Sequence, residues 1–308
     1  MKRQVLGNDR KIWLKHLRNN DKKATVNYYF DKKTSYAARQ AFFRAAKAWE
    51  KDTCINFTMN EKATDVIHVV GWGKLCLSNV GKVGGRQNMS LGEGCEWFGH
   101  AYHEIGHALG LHHAQNRWDR DEHITINWAN IPKDYVDQFN STASHEFTTY
   151  GFPYDYGSVM HYESNRTKPM MTPKKDHYMG TIGSPMISFI DLSMINEHYY
   201  CKTKCVNSGT RCENGGFPHP RDCSECICPG GYGGRLCNER VLVKCKKSCL
   251  KLKRKVFQPN DLGDVRNATS NWTDLFMTHY NPSKDLDYLK RTYWIKVCGA
   301  TDVVAFAS

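Results

Sequence analysis

Long apolar runs are what this 308-residue chain lacks most clearly. No run of about 18 apolar residues occurs, which on sequence grounds excludes a membrane-spanning helix. The first thirty residues also lack the roughly 7–15-residue apolar core of a secretory signal. We therefore expect the sequence to begin after removal of a leader and a propeptide, or to come from a truncated gene model. Lys2-Arg3 before Gln4 fits the remains of a dibasic processing site, although so short a motif also arises by chance.

Acidic residues are also few, with 31 Asp and Glu against 43 Lys and Arg and a formal net charge of +12. In a secreted protein this balance favours acidic substrates or extracellular polyanions as partners, and it argues against nucleic acid. For most of the lysines a solvated basic surface is the preferred interpretation. The run Lys244–Lys255 (KCKKSCLKLKRK) is a candidate for binding heparin-like chains, but solvation is the preferred interpretation there too.

Cysteine, in contrast, is plentiful, and thirteen residues predict an oxidising compartment if they fall at disulfide-like spacings. Asn-x-Ser/Thr sequons fit the same secretory route. We therefore predict a secreted, extracellular glycoprotein. The candidate glycosylation sites are Asn56, Asn88, Asn140, Asn165, Asn267 and Asn271.

The chain is longer than one average domain, so we predict one larger domain followed by one or two small modules. Ala24–Phe30 is rich in β-forming residues and predicts a strand. Tyr36–Glu50 has the apolar spacing of an amphipathic helix that packs on a sheet. Further strands are predicted at Cys54–Phe57 and Asp65–Val70. The glycine-rich residues 71–95 are predicted to be loops.

The motif with the clearest chemistry is HEIGH, residues 103–107, followed by Gly110 and His113. Positions i and i+4 share a helix face, so His103 and His107 can bind one metal ion. Glycine at 110 permits a left-handed turn that would bring the third histidine to the same ion. Glu104 is placed to act as general base at the open coordination position. The pattern predicts one Zn²⁺ per chain and selects His113 rather than its neighbour as the third ligand.

A methionine turn is the second signal, because this extended zinc motif is followed by such a turn in the metzincins. Ser158–Tyr162 (SVMHY) supplies it. With HEIGHALGLHHAQNRWDRD and PYDYGSVMHY, the chain resembles the astacin family of secreted zinc endopeptidases, in its nematode-like form. The resemblance runs from about Ala24 to Cys201 and continues more weakly beyond.

The resemblance implies an α+β fold, in which a metzincin catalytic domain has a twisted mixed sheet, a long zinc-binding helix and a cleft between two subdomains. It implies that His103, His107 and His113 bind zinc and that Glu104 activates the attacking water. Tyr162 would be a further, mobile zinc ligand that also stabilises the oxyanion, and Met160 would be the methionine of the turn. The region of residues 65–70 would include the edge strand along which a peptide substrate lies.

Disulfide pairing is implied in the same way, as Cys54–Cys201 and Cys76–Cys95 in the catalytic domain. The next six cysteines lie in a segment too short to bury a useful core, so it must be stabilised by disulfides. Its Cys-x-Cys, followed by eight residues and a further Cys, resembles an EGF-like module. A zinc knuckle is the competing interpretation, but His219 is the only histidine among these cysteines. The EGF-like pairing would be Cys205–Cys223, Cys212–Cys226 and Cys228–Cys237.

These features divide the chain into four parts. They are an N-terminal segment left after propeptide processing (1–22), a zinc protease domain (23–201), an EGF-like module (202–240) and a truncated or divergent CUB-like region (241–308). In the last part, Tyr293–Lys296 resembles one CUB strand. Cys245, Cys249 and Cys298 cannot all pair within the chain.

The predicted function is hydrolysis of internal peptide bonds in protein or peptide substrates. The alternative is an inactive extracellular binding protein, which loss of Glu104 or of a histidine ligand would indicate; neither is lost.

Two positions depart from the family. Ala114 stands where relatives carry a glutamate that holds the mature N-terminus, and Pro185 stands where many carry an arginine. The missing arginine predicts a weaker preference for acidic residues just after the cut, unless Lys174 or Lys175 supplies the charge.

Overall fold

A computed structural model describes residues 3–6, 11–16, 22–142, 147–240, 293–295 and 304–306. Several predictions from sequence lie outside these residues and stay predictions. They concern the sequons Asn267 and Asn271, the cysteines Cys245, Cys249 and Cys298, the basic run Lys244–Lys255, and most of the CUB-like region.

Three helices and a series of short strands make up the regular structure of the described residues. The helices are α1 (Tyr36–Lys51), α2 (Phe98–Ala108) and α3 (Phe189–His198). The strands are β1 (Arg3–Leu6), β2 (Leu14–His16), β3 (Lys22–Phe30), β4 (Ile55–Met59), β5 (Val66–Val70), β6 (Cys76–Ser78), β7 (Arg86–Leu91), β8 (Ile124–Ile126), β9 (Phe147–Thr148), β10 (Met171–Pro173), β11 (Phe217–His219), β12 (Asp222–Ile227), β13 (Tyr232–Gly233), β14 (Glu239–Arg240), β15 (Tyr293–Ile295) and β16 (Val304–Phe306). Short 3-10 helices cover Ala114–Asn116, Arg120–Glu122, Trp128–Asn130, Lys133–Phe139, Asp176–Gly180 and Cys201–Cys205.

The main sheet is mixed, as predicted. Strands β4, β3, β5 and β7 run parallel, whereas β2 pairs antiparallel with β3 and β6 pairs antiparallel with β7. Strand β5 lies between β3 and β7, so the prediction of an edge strand at residues 65–70 was wrong. Strand β6 takes the edge instead, beyond β7.

The prediction that residues 71–95 are loops was wrong for Cys76–Ser78 and Arg86–Leu91, which form strands β6 and β7, and is confirmed for the rest of this range. Strand β7 buries Gln87, Met89 and Leu91 on one face by alternation, a pattern that the surrounding glycines and polar residues obscured. Pairing with the neighbouring parallel strand β5 stabilises it, and this pairing is not a property of the local sequence.

Helix α1 confirms the predicted amphipathic helix and packs its apolar face into the principal core. It begins with Ser35, whose hydroxyl accepts a hydrogen bond from Ala38 N at 3.1 Å and so caps the first turn. The buried face includes Ala41, Phe42 and Trp49. The Trp49 indole donates to Tyr102 O of α2 at 3.1 Å, which ties the two helices together.

The described residues form two hydrophobic cores, and the methionine turn contacts both: Val159 and Met160 belong to one and Tyr162 packs against the other. The principal core joins the main sheet to α1, α2 and α3. The second core is smaller and is formed by Ile124, Ile131, Phe139, Tyr154, Tyr156, Met171 and Ile182, with Tyr162 packed against it. Because α2 belongs to the first core and Tyr162 touches the second, the metal-site histidines stand where the two subdomains meet.

The folded unit begins before residue 23, where the domain boundary was predicted. Ile12 and Trp13 are buried in the principal core, and β2 joins the main sheet. The Trp13 indole donates to Ala108 O at 2.9 Å, at the C-terminal end of α2. We therefore use residues 11–201 as the zinc-site domain.

Five disulfides in the described part of the chain join the same cysteines as the resemblance implies. Cys54–Cys201 ties the start of β4 to the end of the zinc-site domain, and Cys76–Cys95 holds edge strand β6 to the loop before α2. Residues 202–240 form a cysteine-rich module with two small hairpins, β11–β12 and β13–β14. Its disulfides are Cys205–Cys223, Cys212–Cys226 and Cys228–Cys237. Among the described residues, none of the helices has the length and apolarity needed to cross a membrane.

Candidate metal centre and active site

Helix α2 and the turn that follows it bring three histidines together. His103 and His107 lie one turn apart on α2, and their rings meet edge to face with centroids 4.6 Å apart. The helix ends at Leu109, after which Gly110 takes a φ of +109°, open to glycine without strain. The reversed chain places His113 Nε2 at 3.0 Å from His103 Nε2 and 3.1 Å from His107 Nε2.

The other ring nitrogens of the helical pair fix their tautomers. His103 Nδ1 donates to Val159 O and His107 Nδ1 donates to Leu111 O, each at 2.8 Å. Because a carbonyl only accepts, both Nδ1 atoms carry a proton and both Nε2 lone pairs face the centre. Burial holds the pKa of all three histidines below the ordinary value, and well below it for His107 and His113, so the rings are neutral.

This donor set fits zinc. Three neutral imidazoles are the ligands of many catalytic zinc sites, with Zn–N bonds of about 2.0–2.1 Å. Tetrahedral angles and such bonds give nitrogen separations of roughly 3.3–3.4 Å, close to the 3.0 and 3.1 Å found here. Within the described residues, these three histidines form the one group able to hold a metal ion. His112, next to the third ligand, is not part of it.

Glu104 is buried beside these histidines, with 4% of its surface exposed. Its Oε2 atom has no hydrogen-bond partner among the described residues. Burial raises its pKa to about 8, because a carboxylate is poorly solvated there. The positive charge of a bound zinc ion acts in the opposite direction and favours the ionised form. A buried carboxylate oxygen with an open acceptor position suits a group that takes a proton from water.

The methionine turn lies directly beneath α2. Met160 is fully buried, and its sulfur would lie 2.6 Å from a Cβ atom built on Gly106. A side chain at residue 106, inside the HEIGH motif, would therefore displace the Met160 sulfur. Met160 O accepts from Ala114 N at 2.9 Å, which joins the turn to the residue after the third histidine.

Tyr162 follows the turn and packs its ring on His113, with centroids 4.5 Å apart. Its backbone N–H donates to Gln115 Oε1 at 3.1 Å, and the ring of Phe139 meets it edge-on at 6.0 Å. Burial, then the nearby Glu104 charge, raises the pKa of Tyr162 to about 12. The phenol is therefore protonated at neutral pH and remains a hydrogen-bond donor.

A buried aspartate that sequence reasoning missed supports the methionine turn. Asp191 of α3 accepts from Ser158 Oγ at 2.6 Å and from Val159 N at 2.9 Å. Val159 O in turn accepts from His103 Nδ1, so the carboxylate is two hydrogen bonds from a metal ligand. Asp191 also forms a capping box with Ser188 at the start of α3. The Ser-x-x-Asp spacing at residues 188–191 was the available sequence signal.

The other predicted positions lie around this centre. Asp119 accepts from Arg117 in a two-pronged pair at 2.8 and 2.9 Å. Ala114 is fully buried. Pro185 packs against Gly99, one helical turn before His103, where an added Cβ would lie 2.8 Å from the proline Cβ. Lys174 lines a cavity of about 300 Å³ beside Arg120 in the second subdomain.

The family follows from comparison with known proteins. The family model described as Astacin, a peptidase family, matches residues 14–200. The chain belongs to the astacin family. Its membership confirms the resemblance seen in the sequence, and the family and the three histidines together give one zinc ion per chain.

Two curated relatives and one solved structure illustrate the similarity. The chain is 41% identical over 280 residues to zinc metalloproteinase nas-31 of Caenorhabditis elegans, covering 89% of this chain and 43% of that protein. It is 38% identical over 231 residues to zinc metalloproteinase nas-36 of Brugia malayi, covering 73% and 39%. The chain thus spans less than half the length of these relatives.

The solved structure is high choriolytic enzyme 1, a hatching enzyme zinc-protease from the medaka fish Oryzias latipes. It aligns with a TM-score of 0.57 and 30% identity, over 64% of this chain and 98% of that one.

Proposed function

We propose that this astacin is a secreted zinc endopeptidase that cleaves internal bonds of protein or peptide substrates. The observation that carries the proposal concerns Glu104, which lies beside the three metal-site histidines. Its buried Oε2 has no hydrogen-bond partner among the described residues and is available to accept a proton. The alternative of an inactive binding protein is not favoured, because the ligand set and the candidate base are intact. The similarity to proteins named zinc metalloproteinases supports the same choice.

The catalytic roles follow from the positions of the chain's own groups. When bound, zinc polarises the scissile carbonyl and lowers the pKa of a water molecule. Glu104 accepts the proton of the attacking water on Oε2 and delivers it to the leaving amine. His103 and His107 hold their orientation through the carbonyls of Val159 and Leu111, so the site is preorganised.

Tyr162 acts as a donor to the oxyanion in this proposal. Its phenol stays protonated at neutral pH, as its raised pKa requires, and its ring lies against His113. One preorganised donor of this kind typically contributes about 10²–10³ in rate. Replacing Tyr162 with phenylalanine is therefore expected to lower kcat by that factor while KM changes little.

The decisive experiment is Glu104→Gln in the full chain. We expect near-stoichiometric zinc, an unchanged circular dichroism spectrum, and casein cleavage reduced by about 10²–10⁴. Glu93→Gln is the matched control, because Glu93 is exposed on the loop before α2. Cleavage within tenfold of wild type in the Glu104 variant would rule this residue out as the base. Zinc retained without cleavage by the wild type would favour the binding-protein alternative.

The specificity proposal concerns the side of the cleft near Pro185. An arginine there would pair with a substrate carboxylate in a charge-assisted, two-pronged hydrogen bond. Proline has no charge and no backbone donor, and it packs on Gly99 of the zinc helix. Lysine at 174 or 175 can supply charge but not the planar fork of arginine. We therefore expect only a weak preference for Asp or Glu after the cut.

The secretory proposal extends to glycosylation and to the cysteine-rich module. Asn140 and Asn165 are exposed and suit attachment of a glycan. Asn56 and Asn88 are half-buried, which makes them weaker candidates. Glycopeptide mapping of secreted protein should find occupancy concentrated at Asn140 and Asn165.

The three disulfides of the cysteine-rich module support the EGF-like assignment. The basic charge of the chain keeps extracellular polyanions among the proposed partners.

A further inference from the structure

The cysteine-rich module lies beyond residue 200, where the astacin match ends. It nevertheless contacts the zinc-site domain through the guanidinium group of Arg221. Arg221, in the turn between β11 and β12, donates from Nε to Glu50 O and from Nη2 to Ile55 O, each at 2.6 Å. Both Nη atoms also donate to Asn56 Oδ1 at 3.1 Å. Arginine thus binds the end of α1 and the start of edge strand β4 although it remains partly exposed.

A second contact stands beside the first. His219 Nδ1 accepts from Arg221 N at 3.1 Å, so the ring proton resides on Nε2, which donates to Asp52 Oδ1 at 3.3 Å. Asp52 O also accepts from Asn196 of α3 at 2.9 Å. One residue at the end of α1 is therefore held by the module and by α3 together.

The third contact is apolar and reaches the start of α3. Phe217 of β11 is buried and packs on Phe189, the first residue of α3, with ring centroids 5.8 Å apart. The Lys202 ammonium lies 4.4 Å from the Phe217 ring and 5.3 Å from the Phe152 ring. Such cation–π contacts hold the linker residue against both parts of the chain.

A disulfide fixes the start of the module next to these contacts. Cys201 is bonded to Cys54, two residues from Asp52 and two from Asn56. The short linker to Cys205 keeps Arg221 at high effective concentration beside its acceptors. Forming the contacts of His219 and Arg221 with the zinc-site domain therefore costs little additional chain entropy.

From these contacts we propose that the cysteine-rich module is a fixed brace of the active site rather than a mobile tether. Phe217 supports the first turn of α3, where Ser188 and Asp191 form the capping box. Asp191 holds Val159 N, and Val159 O holds His103. The inference concerns the support of the metal site and goes beyond the proposed peptidase activity.

The test is hydrogen–deuterium exchange on the intact, zinc-loaded chain, read at the Val159 amide and at residues 50–56. Phe217→Ala should speed exchange of Val159 by about tenfold, because an opened first turn of α3 exposes this amide more often. Arg221→Ala should act mainly on residues 50–56. Arg211→Ala is the matched control, with the same loss of charge at an exposed position of the same module, and it should change neither region.

Variants in strand β4 of the zinc-site domain provide a second test of the same contact. Asn56→Asp gives the guanidinium a carboxylate partner and should slow exchange of residues 55–57, whereas Thr58→Ala removes the same sequon and should not. Unchanged exchange at Val159 in Phe217→Ala overturns the brace, whether or not the module itself has opened. Because exchange does not depend on turnover, an inactive wild-type chain with the expected exchange pattern would overturn only the proposed peptidase function.

Discussion

Replacing Asp191 with asparagine tests how the fold holds the methionine turn. Asp191 is fully buried and accepts three hydrogen bonds, from Ser158 Oγ, Val159 N and Ser188 N. Burial, then the neighbouring Asp155 carboxylate, raises its pKa from 3.8 to about 7. Burial also raises the pKa of Asp155, which accepts from Ser188 Oγ at 2.5 Å. The fold therefore confines two carboxylates that disfavour each other's ionisation.

The pH dependence follows from the direction of that shift. A folded-state pKa above the unfolded value means that Asp191 contributes stability at low pH, and that this contribution is lost as pH rises through about 7. Between the two pKa values the loss is at most roughly 4 kcal/mol. Asparagine can keep its oxygen on the two N–H donors and donate its amide to Ser158 Oγ. We expect the variant to gain stability relative to wild type as pH rises from 5 to 8, and to be about 1–3 kcal/mol more stable than wild type at pH 8.

The assay is denaturant unfolding of the disulfide-intact, zinc-saturated chain across this pH range, with the wild-type-minus-variant difference plotted against pH. Asp191→Ala is the companion variant, since it leaves two N–H groups and one hydroxyl without an acceptor. It should cost roughly 3–5 kcal/mol near pH 5 and less as pH rises to 8, because wild type itself loses the contribution of Asp191 over this range. An Asp191→Asn variant that is less stable than wild type at pH 8 would refute the reasoning, because the ionised carboxylate would then be a net stabilising group.

The remaining predictions are more local. His107→Ala should lower zinc content after dialysis from near one per chain to a small fraction, as measured by elemental analysis; unchanged zinc would remove the basis of the assigned site. Gly106→Ala should cost about 1–3 kcal/mol in thermal unfolding, because its Cβ would lie 2.6 Å from Met160 Sδ, and a neutral result would mean that the sulfur moves freely. Digestion of a peptide library should show little enrichment of Asp or Glu after the cut, whereas strong enrichment would make Lys174 or Lys175 the substitute for the charge missing at Pro185.

The metal site could be predicted from sequence because its geometry is local. Helical periodicity places His103 and His107 on one face, and the conformational freedom of Gly110 allows the chain to return with His113. The same holds for the amphipathic pattern of α1. Where a few dihedral angles decide the arrangement, residue spacing is sufficient information.

The supporting contacts depend on long-range packing and were not predictable in the same way. Trp13 reaches Ala108 across 95 residues, and Asp191 reaches Ser158 across 33. The local sequence does not show which strands pair with one another. The edge was therefore predicted at β5, whereas β6 lies there. A strand's own sequence specifies its two faces much better than its neighbours.

Ala114 shows how local and long-range information combine. The resemblance seen in the sequence implies a glutamate here that holds the N-terminus, but the alanine is fully buried and its N–H donates to Met160 O. A methyl group neither donates nor accepts, so this position contributes packing and a backbone hydrogen bond to the methionine turn. Within the described residues, Trp13 holds the N-terminal part of the fold by placing a buried indole on the last turn of α2. Apolar burial and one hydrogen bond thus tie this segment to the zinc helix, and such a tie does not depend on ionisation of a carboxylate.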